Sequence, residues 1–225
     1  MKYSIDLFNA ISDWQKSSSD KRAEKLIEAC KNLDPYFKQA NCCYRQIAIE
    51  KDELYRVGDE LFFYEKTSSW TESNKVAESF KGGVPPIGYQ GIIFKYQPSC
   101  SEVVVNLNRL LSDSDFIREI EANKNKVFSY SDGYGRYKNS QQEVILTIDK
   151  LNLNTVFAWG GTSSSKEVLA KAFYNTDSLT PQQLLNFDTL LQAANLTPGV
   201  SWLSGLSADV ISAKLACLVQ VHPKT

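Results

Sequence analysis

The chain has 225 residues, enough for one mid-sized domain, or one domain with an appendage, built around its own apolar core. Acidic and basic residues nearly cancel to a formal net charge of −1, which gives no argument from charge for broad binding to nucleic acids or membranes. The cysteines are odd in number and form no C-x-x-C pair, which disfavours a disulfide framework or a zinc site and favours a reducing cytosol. Without a leader pattern or a membrane-spanning apolar run, a cytoplasmic protein is expected.

The histidine content disfavours an enzyme that depends on histidine. The only histidine, His222, lies close to the end of the chain, where a nucleophile pair or a metal site would depend on a fraying terminus. If the chain is an enzyme, we expect it to use carboxylate, arginine, hydroxyl and amide groups, and no metal.

The first half of the chain reads as helix followed by short strands. Helices are predicted in residues 1–40, with Ser19 or Asp20 as a cap and Asp34-Pro35 as a stop. Next come strands over 42–49 and 57–63, a hydroxyl-rich segment over 67–73, and a short helix that holds Ala77 and Phe80.

The second half changes in character near residue 165. Before it we predict, in order, a Gly/Pro loop, two strands, a helix, a loop and two strands, over 82–88, 92–94, 103–105, 112–122, 131–140, 143–148 and 155–159. After it we predict helices over 166–173, 181–194 and 208–219. The pattern indicates an α+β body over 1–164, whose residues 1–40 are helical, and a helical C-terminal appendage over 165–225.

Three motifs carry groups suited to chemistry. Arg45 interrupts an apolar strand, the run 70–73 (Trp-Thr-Glu-Ser) precedes the short helix, and the run 141–143 (Gln-Gln-Glu) opens an apolar strand. Alone, each has an ordinary explanation: a structural ion pair, a turn or helix cap, and an exposed strand edge. All three in this order are much less common.

The ordered set resembles the ADP-ribosyltransferases of the arginine, serine-threonine-serine, glutamate type, which include clostridial Rho-modifying exoenzymes and the Mod-type transferases of T-even phages. The matching residues are Tyr44-Arg45 at the end of the first strand, Gly58-Asp59 in a turn, Thr71-Glu72-Ser73 as the hydroxyl motif, the helix with Ala77 and Phe80, and Gln141-x-Glu143. The hydroxyl register stays open, because Ser69 replaces Thr71 if the motif is read two residues earlier. The resemblance covers roughly residues 40–150 and implies a split pair of mainly antiparallel β-sheets, with 1–164 as the catalytic domain.

The resemblance implies that NAD is the substrate. Its nicotinamide leaves the ribose early, and Glu143 would stabilise the oxocarbenium-like ribose, as a carboxylate does in glycoside hydrolysis. Arg45 would bind the pyrophosphate through planar, bidentate contacts. Thr71 and Ser73 would hold Glu143 or its neighbourhood in place.

Further residues are expected to contact NAD or the acceptor. Tyr44 joins Arg45 in the NAD site, and Tyr89 either covers the nicotinamide ring or simply packs. Gln141 should face the acceptor, since in these families Gln accompanies amide or guanine acceptors and Glu accompanies arginine. Tyr134 and Tyr137, in the loop that also carries Arg136 and Lys138, either pack against the acceptor or belong to an exposed loop without contacts.

We therefore expect an NAD-dependent mono-ADP-ribosyltransferase, a pentosyl-transferring glycosyltransferase, acting on a protein amide or a nucleobase of RNA or DNA and not on arginine. Such enzymes serve as toxins, toxin–antitoxin toxins or phage effectors in the producing or infected cell, so an antitoxin or chaperone is a further expected partner. One alternative is an NAD glycohydrolase, which would use Glu143 and leave Gln141 idle. Another is a non-catalytic binding module, suggested by Gln46 and Glu72, which stand where the families have Gly and Thr. The sequence specifies neither the acceptor, the oligomeric state nor the role of the appendage.

Overall fold

The computed structural model describes residues 1–50, 59–80, 85–86, 88–137, 141–160, 166–193 and 202–204. The predicted helix over 208–219, together with Gly58, Lys138 and His222, lies outside these residues. Within them, no helix combines the length and hydropathy needed to cross a membrane. The same part of the chain contains no group of three or more His, Cys, Asp or Glu side chains that could hold a metal ion.

The secondary structure is α+β with mainly antiparallel strand pairs, which confirms the predicted class. The described helices are α1 (Ile5–Lys16), α2 (Asp20–Ala29), α3 (Asn74–Ser79), α4 (Leu107–Leu110), α5 (Ser114–Ala122), α6 (Tyr134–Tyr137), α7 (Lys166–Tyr174) and α8 (Pro181–Ala193). The described strands are β1 (Cys43–Glu50), β2 (Glu60–Phe62), β3 (Thr67–Thr71), β4 (Tyr89–Tyr96), β5 (Val103–Asn106), β6 (Glu143–Thr147), β7 (Lys150–Asn152), β8 (Val156–Gly160) and β9 (Trp202–Ser204).

The chain forms two compact units, and the segments of the two units alternate along the sequence. Of the described residues, the first unit holds 1–45, 59–77, 94–137 and 141–155, and the second unit holds the rest. The units therefore divide the chain differently from the expected body over 1–164 and appendage over 165–225, and that pair of domains stays a prediction.

In the first unit, strands β5, β6, β3 and β1 are neighbours in that order. The β3–β6 register runs from Thr67 opposite Thr147 to Thr71 opposite Glu143, and β1 places Tyr44 opposite Thr71. Strands β2 and β7 form a separate antiparallel pair. The register thus brings the predicted hydroxyl-rich segment, most of which is a strand in the structure, next to the predicted glutamate strand.

Helix α1 supplies much of the apolar core of this unit. Ser4 caps its first turn by accepting a hydrogen bond from the backbone N–H of Leu7. Its buried side chains include Phe8, Ile11 and Trp14, which recur at helical spacing, and Phe8 meets Phe116 of α5 edge to face with ring centroids 5.3 Å apart. Burying each large apolar side chain stabilises the fold by about 1.5–3 kcal/mol.

The predicted loop over 131–140 is partly helical and anchors α1. Gly133 lies so close to α1 that a β-carbon there would stand 2.0 Å from the carbonyl oxygen of Ser12. The Ser12 hydroxyl donates to the carbonyl of Ser129 at 3.0 Å and accepts from the N–H of Tyr134 at 3.3 Å. These contacts set the position of the C-terminal half of α1, which carries Trp14.

The second unit contains parts of β1 and β4 and then, in chain order, β8, helices α7 and α8, and β9. Gly160 of β8 lies opposite Trp202 of β9, and the Trp202 ring packs over Gly91. Helices α7 and α8 meet through Phe173 and Phe187, whose ring centroids lie 5.6 Å apart. The predicted helices over 166–173 and 181–194 are therefore present, but the tail also contributes a strand that the sequence did not predict.

Candidate active site

The carboxylate of Glu143 is buried and both of its oxygens accept hydrogen bonds. Glu143 is 6% exposed. Its Oε1 accepts from the hydroxyl of Ser69 at 2.5 Å, and its Oε2 accepts from Nε2 of Gln15 at 3.1 Å. The Ser69 hydroxyl in turn accepts from the indole N–H of Trp14 at 3.0 Å. The hydrogen bonds thus fix the orientation of the carboxylate.

Local sequence explains how Glu143 reaches this position. It is the first residue of β6, whose next three residues are buried and apolar. Its cross-strand partner is Thr71, and since side chains alternate along a strand, Ser69 lies on the same face as Thr71 and Glu143. The preceding residue, Gln142, has a φ of 44°, in the left-handed region that few non-glycine residues adopt. A rare backbone conformation therefore sets the entry of the chain into β6.

Burial and hydrogen bonding act in opposite directions on Glu143. Burial raises the pKa of the carboxyl above its ordinary value, while the hydrogen bonds from Ser69 and Gln15 and the nearby indole N–H of Trp14 lower it. Burial is the larger effect, so Glu143 holds a proton more tightly than an exposed glutamate. Shifted carboxyl groups held by donors are typical of sites that handle charge or protons.

Arg45 lies next to the same serine. Its Nη1 donates to the carbonyl of Ser69 at 3.4 Å, and the guanidinium lies 5.7 Å from the ring centroid of Phe63. Burial lowers the pKa of Arg45 to about 10, with the charge of Glu65 opposing this, so the guanidinium stays charged at neutral pH. Among the described residues, no carboxylate lies within ion-pair distance of Arg45. A structural ion pair therefore does not explain Arg45 in this part of the chain.

The hydroxyl that contacts the Glu143 side chain belongs to Ser69, whereas Thr71 holds the neighbourhood of Glu143, as one form of the expectation has it, and Ser73 contacts neither. The Thr71 hydroxyl donates to the carbonyl of Gln141 at 2.7 Å, which holds the chain before Glu143 and not its side chain. The Ser73 hydroxyl accepts from the N–H of Val76 at 3.4 Å, at the start of α3. The earlier reading of the hydroxyl motif, which begins at Ser69, fits the contacts.

Glu72, in the middle of the later reading, is occupied elsewhere. Its carboxylate accepts from the backbone N–H of Asn41 at 2.9 Å and from the amides of Asn106 and Asn108 at 3.2 and 2.8 Å. These bonds tie together three segments of the first unit. Glu72 is therefore a structural carboxylate.

The residues expected to face an acceptor separate into different environments. Gln141 is partly exposed, and its side-chain amide makes no hydrogen bond to any residue that the structure describes. Tyr134 is 1% exposed and packs against Phe116 and Tyr130, so the expectation that it contacts an acceptor is wrong. Tyr137 is partly exposed, with the Arg136 guanidinium 5.3 Å from its ring centroid.

The two remaining tyrosines lie in different units. Tyr44 is partly exposed on β1 in the first unit, directly before Arg45. Tyr89 belongs to the second unit, where its hydroxyl donates to Oε1 of Glu50 at 3.2 Å. The role of Tyr89 over a nicotinamide ring stays a prediction.

Sequence reasoning missed Trp14 and Gln15. Both lie on α1, and the contact between Gln15 and Glu143 joins residues 128 positions apart. In the sequence they stand at the end of an amphipathic helix, where Trp14 resembles an ordinary core residue. Only the packing of α1 against the sheet reveals their place at the site.

The chain matches no family model, no curated protein and no solved structure. The function must therefore be inferred from the geometry around Glu143 and from the order of the motifs.

Proposed function

We propose that the protein is an NAD-dependent mono-ADP-ribosyltransferase. The observation that carries the proposal is the Glu143 carboxylate, fixed by the hydroxyl of Ser69, whose carbonyl accepts from Arg45. The reaction breaks the bond between nicotinamide and the ribose and leaves positive charge on the ribose. A fixed carboxylate stabilises that charge, and a buried setting strengthens the interaction because little water screens it.

Arg45 is proposed to bind the pyrophosphate of NAD. The side chain of Arg45 is partly exposed, and its charged guanidinium has no carboxylate partner among the described residues. A dianionic pyrophosphate would supply the missing partner through bidentate hydrogen bonds. In this proposal Arg45 holds the substrate while Glu143 acts on the ribose.

The described strands support a proposal about the fold as well. Arg45 lies on β1, Ser69 on β3 and Glu143 on β6, and β3 is the neighbour of both other strands. We propose that this arrangement is the ADP-ribosyltransferase fold, a split pair of mainly antiparallel sheets. The order of the three groups along the chain is the order in the families that the sequence resembles.

Gln141 supports an acceptor that offers an amide or a base edge. Its side chain is partly exposed, lies two residues before Glu143, and makes no hydrogen bond to a described residue. An amide pairs with another amide or with a nucleobase edge through one donor and one acceptor, whereas an arginine acceptor offers only donors. The proposed acceptor is thus a protein amide side chain or a base of RNA or DNA, and the proposed setting is a toxin or phage effector in the cytoplasm, accompanied by an antitoxin or chaperone.

The test is incubation of the full chain with NAD labelled in its adenylate phosphate, together with separate pools of protein, RNA and DNA. We expect label to appear in one pool, with loss of transfer in Glu143→Gln. The matched control is Glu102→Gln, which removes a carboxylate that only accepts from Tyr96 and Ser99.

Each outcome has a clear meaning. Free ADP-ribose without labelled macromolecule, unaffected by Gln141→Ala, would replace the transferase with an NAD glycohydrolase. Neither label nor free ADP-ribose, under conditions where a control transferase works, together with no rise in melting temperature on adding NAD, would leave a non-catalytic binding module.

A further inference from the structure

Gln15, in the last turn of α1, makes an unusual contact with a buried carboxylate. Its Nε2 donates to Oε2 of Glu143 at 3.1 Å, the oxygen that Ser69 leaves unoccupied. A primary amide also has a carbonyl oxygen, and Oε1 of Gln15 is buried and accepts no hydrogen bond from the described residues. The Gln15 side chain therefore donates to Glu143 through Nε2, while its own Oε1 accepts no hydrogen bond from a described residue.

A buried acceptor that no described residue satisfies has a free-energy cost, which offsets part of what the hydrogen bond to Glu143 contributes to stability. An apolar side chain of similar size would fill the same space without a buried polar atom. The one interaction that requires the amide is the hydrogen bond to Glu143. Groups that stabilise a fold poorly but engage a reactive carboxylate are typical of functional sites.

Helix α1 is held firmly enough to give this contact a defined geometry. The Ser12 hydroxyl connects α1 to Ser129 and Tyr134, and Gly133 allows the two backbones to approach closely. On the same turn of α1, Trp14 donates to the hydroxyl of Ser69. Consecutive residues of one helix thus reach both oxygens of Glu143, one directly and one through Ser69.

We infer that Gln15 is a positioning residue for the reaction, and that it holds the Glu143 carboxylate in the orientation that faces the ribose. The inference rests on the proposed transferase function. It assigns Gln15 no contact with NAD or with the acceptor. Gln15 acts through Glu143, with Trp14 and Ser69 fixing the other carboxylate oxygen.

The position of Gln15 has an electrostatic consequence that an ordinary packing role would not have. Its hydrogen bond lowers the pKa of Glu143 against the larger effect of burial. The other groups that act on this pKa are Ser69 and Trp14, which carry no charge at neutral pH, and the guanidinium of Arg45 on β1 contacts the carbonyl of Ser69. Removing the Gln15 amide should therefore raise the pKa of Glu143.

The experiment compares Gln15→Leu with the wild-type chain and with the control Gln97→Leu, which removes an amide that donates only to the carbonyl of Ala40. A second variant, Gln15→Ala, serves if leucine is poorly accommodated. We expect kcat for NAD cleavage to fall about tenfold to a hundredfold, the range for a lost hydrogen bond to a charged group, with KM for NAD changing less than about twofold. The acidic limb of the kcat profile and the pKa of Glu143 from carboxyl carbon NMR should both move to higher pH. The melting temperature should stay close to the wild-type value in acid, below both pKa values of Glu143, and fall below it as the pH rises.

The NMR titration separates this inference from the proposed function. If the pKa of Glu143 does not move in Gln15→Leu, or if it moves while kcat of an active enzyme stays unchanged, the positioning role is overturned. If the pKa of Glu143 moves in Gln15→Leu but the wild-type chain does not cleave NAD, the proposed function fails. The effect of the Gln15 hydrogen bond on the Glu143 carboxylate is then confirmed without it.

Discussion

At the scale of single residues, the most consequential group is the buried carboxyl of Glu143. Its pKa is raised because burial outweighs the hydrogen bonds, so the folded state binds the proton more tightly than the unfolded state does. Stability therefore falls as the pH rises from the ordinary value of 4.5 through the raised value, and this group contributes no penalty below both values. A carboxyl that destabilises the fold at neutral pH is expected where charge is needed for chemistry.

Glu143→Gln should stabilise the protein while it abolishes turnover. A neutral amide removes the buried charge, and its NH₂ group donates to Oε1 of Gln15 once that side chain turns over, which satisfies an oxygen that lacks a partner among the described residues. We expect an activity loss of about a hundredfold or more, and a gain on the order of 1 kcal/mol for each pKa unit of the shift.

Thermal unfolding over a pH series checks the stability part. The melting temperatures of Glu143→Gln and the wild type should coincide in acid and separate as the pH rises. A variant that melts lower than the wild type at neutral pH would contradict the charge argument.

Arg45→Ala should weaken the binding of NAD more than it slows the reaction. The lost interaction is a charge-assisted hydrogen bond, so we expect KM or Kd for NAD to rise about tenfold to a hundredfold. Arg45→Lys should recover only part of the affinity, because an ammonium group is not bidentate. Calorimetric titration with NAD measures both variants, and unchanged affinity in Arg45→Ala would refute the role of Arg45.

Ser69→Ala should lower kcat, because it removes one donor to Glu143 and the acceptor of the Trp14 indole. The matched control is Thr67→Val on the same strand, which removes a hydroxyl that pairs only with Thr147. We expect about a tenfold loss of kcat or more for Ser69→Ala and wild-type kcat for Thr67→Val, with each hydroxyl contributing about 1 kcal/mol to stability. Equal kcat values in the two variants would show that the hydroxyl of Ser69 has no special role.

At the scale of elements, the contact between α1 and the segment 129–137 matters most. Ser12 is buried, and its hydroxyl and carbonyl both face this segment, so the contact holds α1 at the point from which Trp14 and Gln15 reach Glu143. A glycine at position 133 is required by the space available and not by its φ. The geometry of the site therefore depends on packing outside it.

Gly133→Ala should destabilise the first unit strongly, because a β-carbon would meet the backbone carbonyl of Ser12 at 2.0 Å. Gly91→Ala in the second unit is the comparison, since its β-carbon would stand 2.8 Å from the edge of the Trp202 ring, a side chain. A backbone segment yields less easily than a side chain, so we expect a loss of about 3 kcal/mol or more at Gly133 and about 1–3 kcal/mol at Gly91. Chemical denaturation measures both, and the opposite ranking would contradict the close approach at Gly133.

At the scale of the whole molecule, the four described cysteines comprise two buried thiols, one partly exposed thiol at Cys42 and one exposed thiol, and none of the four forms a disulfide. Burial raises the pKa of Cys30 and of Cys43 to about 12, with the charge of Glu72 adding to the effect at Cys43. Cys100 is exposed. Because the thiolate is the reactive form, the buried thiols should react only when the structure opens.

Alkylation followed by peptide mass spectrometry checks this prediction. In the native protein, Cys100 should be modified well before Cys30 and Cys43. These two buried thiols should be modified together, at the rate at which the protein unfolds. Cys100→Ser, as a control, should remove the signal of the Cys100 peptide and leave the rates of Cys30 and Cys43 unchanged. Rapid native modification of Cys30 would contradict the buried core of the first unit.

Sequence patterns determined the local structure well, because they depend on residues near each other along the chain. The spacing of apolar residues and caps such as Ser19 located the helices, and alternating or apolar runs located β1 and β6. The motifs also singled out Arg45 and Glu143, since a charge inside an apolar strand needs an explanation. Transferase function is what these motifs suggest, and it stays a proposal.

Only the tertiary structure determined the contacts between residues that are far apart in the sequence. The β3–β6 register, and not the motif, selected Ser69 over Thr71 and Ser73 as the hydroxyl on Glu143. The packing of α1 brought Gln15 to the carboxylate, and the core around Phe116 buried Tyr134. Local spacing cannot encode these contacts, because each depends on side-chain packing across segments that the chain brings together only when it folds.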